Sequence, residues 1–223
     1  SLRNGTTEAF DKWYLLNHGK RLRIFRGEYM YHGAVFTNLG LPFAYLDDEP
    51  LAKNDFIVIS MPFADTGNVH DKMIEVLDQA AEMGVKALID CAYVGLTQNI
   101  EFDFGHPAIH TVTFSLSKSF PIAHARIGIR ISRFDHDDGL DIYAKTNYAN
   151  QIALCIGQEL VTKFDIDETV LQYRNMQRDA CKLMGITPSN TVIFGLGGDK
   201  WKIYNRGTST NRLFLGGIYE KSK

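Results

Sequence analysis

Two unbroken apolar runs, DFIVIS (55–60) and VKALIDCAY (85–93), bracket a stretch in which apolar residues return every three or four positions. The runs have strand length and carry β-branched residues, as strands covered on both faces do. Between them, VHDKMIEVLDQAAEMG (69–84) repeats Met73, Val76, Leu77, Ala80 and Met83 at helical spacing, and Gly84 supplies a stop. The same reading predicts strands over RLRIF (21–25), PAIHTVTFSLS (107–117) and ARIGIRIS (125–132). It predicts helices over 3–19, 147–164 and 167–185, the first capped by Thr6 or Thr7. Residues 33–46 are mixed, and MPFADTGN (61–68) is a turn. NTVIFGL, KWKIYN and NRLFLGG read as short closing strands, and GLGGDK (195–200) as a hairpin turn.

The order of these elements predicts an α/β fold: a mainly parallel, seven-stranded type of sheet with helices on both faces, plus a reduced C-terminal α/β lobe. A soft boundary divides it into 1–164 and 165–223. Composition changes this picture little. A formal charge of −2 over 223 residues gives no basic surplus for nucleic acid. Cys91, Cys155 and Cys181 form no CxxC pair, which fits a reducing cytoplasm and argues against a zinc site. No apolar run reaches membrane-spanning length.

The candidate chemistry lies where the strands end. FSLSKSF (114–120) places Ser115, Ser117 and Lys118 together. Ser115–Lys118 satisfies S-x-x-K, an acylating-serine motif, but a strand pattern precedes it and no SDN or KTG companion is present. Asp90 ends one buried run and Tyr93 follows three residues on; Arg126 lies eight residues after Lys118. Groups at the carboxyl ends of neighbouring strands in an open α/β sheet converge on one crevice. An amine, a carboxylate, a phenol and an arginine suit a ligand with an aldehyde, a ring nitrogen and a phosphate, which is pyridoxal phosphate. Singly, Lys118 reads equally as a surface charge and Asp90 as a turn cap.

With these residues in view, the sequence resembles the fold-type I pyridoxal-phosphate enzymes, class I/II aminotransferase family, and so implies a PLP-dependent transferase-like fold. By resemblance, Lys118 is the Schiff-base lysine and proton shuttle, Asp90 (in IDCAYVG) holds the ring nitrogen, and Tyr93 holds the phenolic oxygen. Ser115, Ser117 and Arg126 would bind the phosphate. NGTTEAF resembles the family's glycine-rich turn, so Gly5, Thr6 and Thr7 join them. EYMYHG implies Tyr29 as the ring-stacking aromatic and His32 as support for Asp90. NRLFLGG implies Arg212 as the substrate-carboxylate arginine, with Arg206 as its alternative. Arg130 and Arg133 read as strand-face charges, and Trp13 and Tyr14 as core or interface.

The resemblance implies an aminotransferase acting on an amino acid and a 2-oxo acid, without metal, and a cytoplasmic homodimer. Leu39, Phe43 and Tyr45 are candidate interface residues, with the core as their competing fate. The family's N-P-x-x-P-T-G-like turn reads here as S-M-P-F-A-D-T-G, which sets Met61 where an asparagine stands. The chain is about half the family's length, which makes it a compact variant or a piece of a longer protein. A lyase or decarboxylase on the same cofactor, and a non-catalytic pseudoenzyme, remain open beside transamination.

Overall fold

The computed structural model of the protein describes residues 2–120, 122–134, 136, 138–146, 148 and 150–217. Residues 147 and 149, in the helix expected over 147–164, and the last six residues lie outside the described residues. A seven-stranded sheet contains β1 (Leu2–Arg3), β2 (Arg21–Ile24), β3 (Phe43–Tyr45), β4 (Asp55–Ser60), β5 (Ala87–Cys91), β6 (Ile109–Ser115) and β7 (Gly128–Ser132). Its order is β1-β7-β6-β5-β4-β2-β3. β3, β2, β4, β5 and β6 run parallel; β7 joins β6, and β1 joins β7, antiparallel. The sheet is therefore mainly parallel.

Strand alternation sends successive side chains to opposite faces. Ile57 and Ile59 of β4 face one way and pack with Met73, Val76, Leu77 and Ala80 of α3 (Met73–Met83). Phe56 and Val58 face the other way, against Phe10, Trp13 and Tyr14 of α1 (Thr6–Leu16) and Phe36 of α2 (Met30–Asn38). Every residue of β4 and β5 is buried, as unbroken apolar runs require when helices cover both faces. α3 stops where Gly84 enters the left-handed region at φ 69°.

Beyond the sheet come α4 (Leu116–Ser119), α5 (Gly139–Lys145), α6 (Gln151–Lys163) and α7 (Glu168–Met184). A second, antiparallel sheet has the order β10-β9-β8, from β8 (Thr187–Pro188), β9 (Phe194–Gly197) and β10 (Asn211–Phe214). Cys181 of α7 packs there with Leu213 and Leu215. Arg174 and Gln177 of α7 donate to the carbonyls of Ser189, Asn190, Thr191 and Phe194, fixing the helix to the loop before β9.

Several local expectations differ. KWKIYN lies in a 3-10 turn (Asp199–Tyr204), not a strand, so GLGGDK ends β9 and enters that turn rather than forming a hairpin. The mixed stretch 33–46 resolves into α2 and β3. The strand expected over 107–117 stops at Ser115, whose hydroxyl accepts the Ser117 N–H and caps α4. The serine of S-x-x-K therefore does open a helical turn, contrary to the strand argument against it. Gly5, not a threonine, is the N-cap of α1. Arg130 is no surface charge: it is 3% exposed and paired with Asp138 and Asp141. Leu39 is exposed, while Phe43 and Tyr45 are half-buried.

Candidate cofactor site

The carboxyl ends of the parallel strands open on a cavity of about 310 Å³. β5 brings Asp90 to it and the turn after β5 brings Tyr93; β6 brings Ser115, and α4 brings Ser117 and Lys118. β4 contributes Ser60 and the turn after it Ala64. Tyr29 enters from the turn before α2, Thr6 and Thr7 from the first turn of α1, and Arg206 and Arg212 from the C-terminal sheet region. Arg126 completes the wall from the loop before β7. The residues singled out in the sequence are thus brought together, except that Gly5 and His32 do not line the cavity; Gly5 sits in the turn against Arg126.

Asp90 and Lys118 arrive from neighbouring parallel strands, since Asp90 pairs in register with Thr113 and Lys118 lies five residues beyond it. Asp90 is 5% exposed. It accepts the Ala92 N–H at 3.0 Å and, at 3.4 Å, the Thr113 hydroxyl. Burial raises its carboxyl to about 7, although those two bonds and the Lys118 charge pull it down. A carboxylate so placed lacks a full set of partners and is suited to a cationic one. The Lys118 Nζ lies 5.8 Å from the centre of the Tyr93 ring. Burial raises the Tyr93 phenol, and Arg212 and Arg206 oppose it.

Arg126 sits at the start of α1 for a steric reason. Gly5 has φ 81°, and a Cβ there would overlap the Arg126 guanidinium. A Cβ on Gly128 would overlap the backbone of Gly5. Glycine at both positions lets β7, the turn and the arginine meet. Arg126 donates to the Ala123 carbonyl at 3.3 Å and has no carboxylate partner among the described residues. A helix start, two threonine hydroxyls, two serines and a guanidinium without a carboxylate partner among the described residues make a set suited to an anion.

Arg206 and Arg212 both donate to the Ala64 carbonyl, and Arg206 also donates to the Glu28 carbonyl at 3.2 Å. The Arg212 guanidinium lies 4.2 Å over the Phe194 ring, and its pKa falls through burial and then through Arg206. Neither has a carboxylate partner among the described residues. Tyr29 is 43% exposed and stacks on Tyr31 at 6.0 Å. His32 is fully buried; its Nδ1 meets the Tyr14 hydroxyl at 2.6 Å, and its Nε2 has no partner among the described residues. Burial lowers it to about 3, so the ring is neutral.

Sequence reasoning missed Glu28, Ser60 and Ala64. Met61, expected at the asparagine position, is 1% exposed and packs in the core beside α3; Ala64 lines the cavity instead. The wall that meets the turn therefore offers no side-chain amide. Only the alternation of DFIVIS, which points Ser60 and Met61 opposite ways, signalled this.

No protein-family model matches the chain, and no curated protein matches it in sequence. Solved structures do match. An aminotransferase from Escherichia coli superposes with a TM-score of 0.71 at 16% identity, covering 92% of this chain and 61% of that one. A PLP-bound C-S lyase from Staphylococcus hominis gives 0.69 at 12%, covering 88% and 59%. L-Threonine-O-3-phosphate decarboxylase from Porphyromonas gingivalis gives 0.67 at 14%, covering 95% and 76%. The fold is that of the pyridoxal-phosphate-dependent enzymes of fold type I. The chain spans 59–76% of the length of these three structures.

Proposed function

We propose that the protein binds pyridoxal 5′-phosphate in this cavity and moves an amino group between an amino acid and a 2-oxo acid. The observation that carries the reading is the convergence of the Lys118 amine and the buried Asp90 carboxylate on one cavity. The residues fit the cofactor: Asp90 lacks a cationic partner of full strength, and Arg126 stands uncompensated at a helix start that Gly5 keeps open. When bound, the cofactor supplies an aldehyde that takes up amines and a ring that accepts electrons.

Arg126, Ser115, Ser117, Thr6, Thr7 and the Gly5 turn hold the phosphate. Asp90 keeps a proton on the ring nitrogen by opposite charge. Tyr93 donates to the phenolic oxygen, and Tyr29 covers a ring face. His32 bonds Tyr14 and not Asp90 among the described residues, so its expected support of Asp90 has no contact behind it and it takes no part in this reading. Lys118 Nζ would hold the aldehyde and, once free as an amine, would serve as the base that takes the α-proton from the substrate and carries it as the conjugate acid. Arg212, beside Arg206, binds the substrate carboxylate by a charge-assisted fork.

Ala64 favours a second reading. With no amide at that wall, Tyr93 is left as the donor to the phenolic oxygen, and lyase or decarboxylase chemistry competes with transamination. A panel of amino acids separates them: transamination yields an oxo acid and an aminated cofactor in equal amounts, whereas a decarboxylase releases carbon dioxide. A bound cofactor that no amino acid alters makes the chain a binder without catalysis. We place the domain boundary between residues 164 and 165, in the segment joining α6 to α7, and expect a homodimer, which sedimentation tests.

A further inference from the structure

Glu28 is a buried carboxylate beside the cavity that has no task in the scheme above. It lies in the turn before α2 and is 4% exposed. Its Oε1 accepts the Ser60 N–H at 2.7 Å, and its Oε2 accepts the Ser60 hydroxyl and, at 3.2 Å, the Tyr29 N–H. Ser60 Oγ in turn accepts the Ala64 N–H at 2.9 Å. All three bonds to the Glu28 side chain come from donors, the arrangement that suits an anion, which can accept but not donate.

Ser60 ends β4 and pairs in register with Asp90 on β5. Adjacent strands lie about 5 Å apart. The hydrogen bonds to Ser60 therefore bring a second carboxylate to the neighbourhood of Asp90. No lysine or arginine is ion-paired with the Glu28 side chain among the described residues; the Arg206 guanidinium bonds its backbone carbonyl instead. Burial raises the Glu28 carboxyl to about 7, the Ser60 bonds oppose this, and the Asp90 charge adds to it. Two neighbouring buried carboxylates hold their protons more tightly than exposed ones do, and a cation brought by the ligand favours their charged forms.

We propose that Glu28 is a positioning residue for the cofactor: held by Ser60 and Tyr29, it supplies a second negative charge near Asp90 that favours a protonated ring nitrogen. The proposal rests on the cofactor reading above. It separates Glu28 from a merely structural carboxylate, because its effect depends on whether the ligand carries that nitrogen. The charge acts through a partly polar medium, so its influence on a cationic ring is about tenfold in affinity.

The test compares two ligands on the full chain: pyridoxal 5′-phosphate and its analogue with C–H in place of the ring nitrogen. Dissociation constants are measured by calorimetry for the wild type, Glu28→Gln and Asp90→Asn. The wild type prefers the nitrogen-bearing ligand, and Glu28→Gln narrows that preference about tenfold while leaving affinity for the analogue nearly unchanged. Equal weakening of both ligands, or no change in the ratio, overturns the proposal. A ratio that falls in Asp90→Asn but not in Glu28→Gln overturns the role of Glu28 and leaves the cofactor reading standing. A wild type that binds neither ligand overturns both. Should Glu28→Gln fail to fold, Ser60→Ala loosens the same carboxylate: the ratio narrows about twofold if the charge acts from there, and stays at the wild-type value if it does not.

Discussion

Replacing Asp90 by asparagine should make the cofactor-free protein more stable at neutral pH while weakening its hold on the cofactor. The carboxyl releases its proton near its ordinary value of 3.8 in the unfolded chain and at about 7 when folded. Between those values the folded state holds more protons than the unfolded one, so stability falls as pH rises and levels off above the folded value. Each pH unit in that window is worth roughly 1.4 kcal/mol, so Asp90 alone removes roughly 3 kcal/mol between pH 5 and pH 8. Asparagine keeps an oxygen for the Ala92 N–H and the Thr113 hydroxyl but has no proton to release. Glu28, raised from 4.5 to about 7 by burial, adds a loss of its own, so the variant still weakens with pH. Urea unfolding of the cofactor-free protein at pH 5 and pH 8, followed by tryptophan fluorescence, measures the difference. The wild type should lose roughly 2–3 kcal/mol more than Asp90→Asn over that interval. An identical pH dependence in the two proteins would refute the buried, partner-poor carboxylate.

Two further predictions concern the anion site. Arg126→Ala should raise the dissociation constant for pyridoxal 5′-phosphate roughly 30- to 100-fold, the loss of a charge-assisted fork, and leave pyridoxal without phosphate nearly unaffected; competition binding reads both. Gly5→Ala places a Cβ against the Arg126 guanidinium at φ 81° and should cost about 1–3 kcal/mol in denaturant unfolding, with a parallel loss of phosphate-dependent binding.

β4 and β5 were legible because they are buried on both faces: unbroken runs such as DFIVIS and KALID have few other fates; β3, half-buried, was lost in the mixed stretch 33–46. The site was legible for a related reason, since Asp90 lies near the end of β5 and Lys118 just past the end of β6, and parallel strands deliver their ends to one side. KWKIYN misled because its alternation has no sheet behind it; Ile203 is 87% exposed, while Trp201 packs on Gly197. Ala64 and Met61 were exchanged because a turn's letters do not say which side chain points inward. Glu28 gave no signal: its task depends on a serine 32 residues away across two parallel strands, a contact that local pattern does not encode. α5 (Gly139–Lys145) was missed in an acidic run whose Asp138 caps it by accepting the Leu140 and Asp141 N–H groups.

The most direct measurement is the site of covalent attachment. The protein is incubated with pyridoxal 5′-phosphate, reduced with borohydride, digested, and its modified peptide sequenced by mass spectrometry. One stoichiometric label on Lys118, absent from Lys118→Ala and weakened in Asp90→Asn, is the predicted result. Labelling scattered over exposed lysines, unchanged by either substitution, would contradict the account.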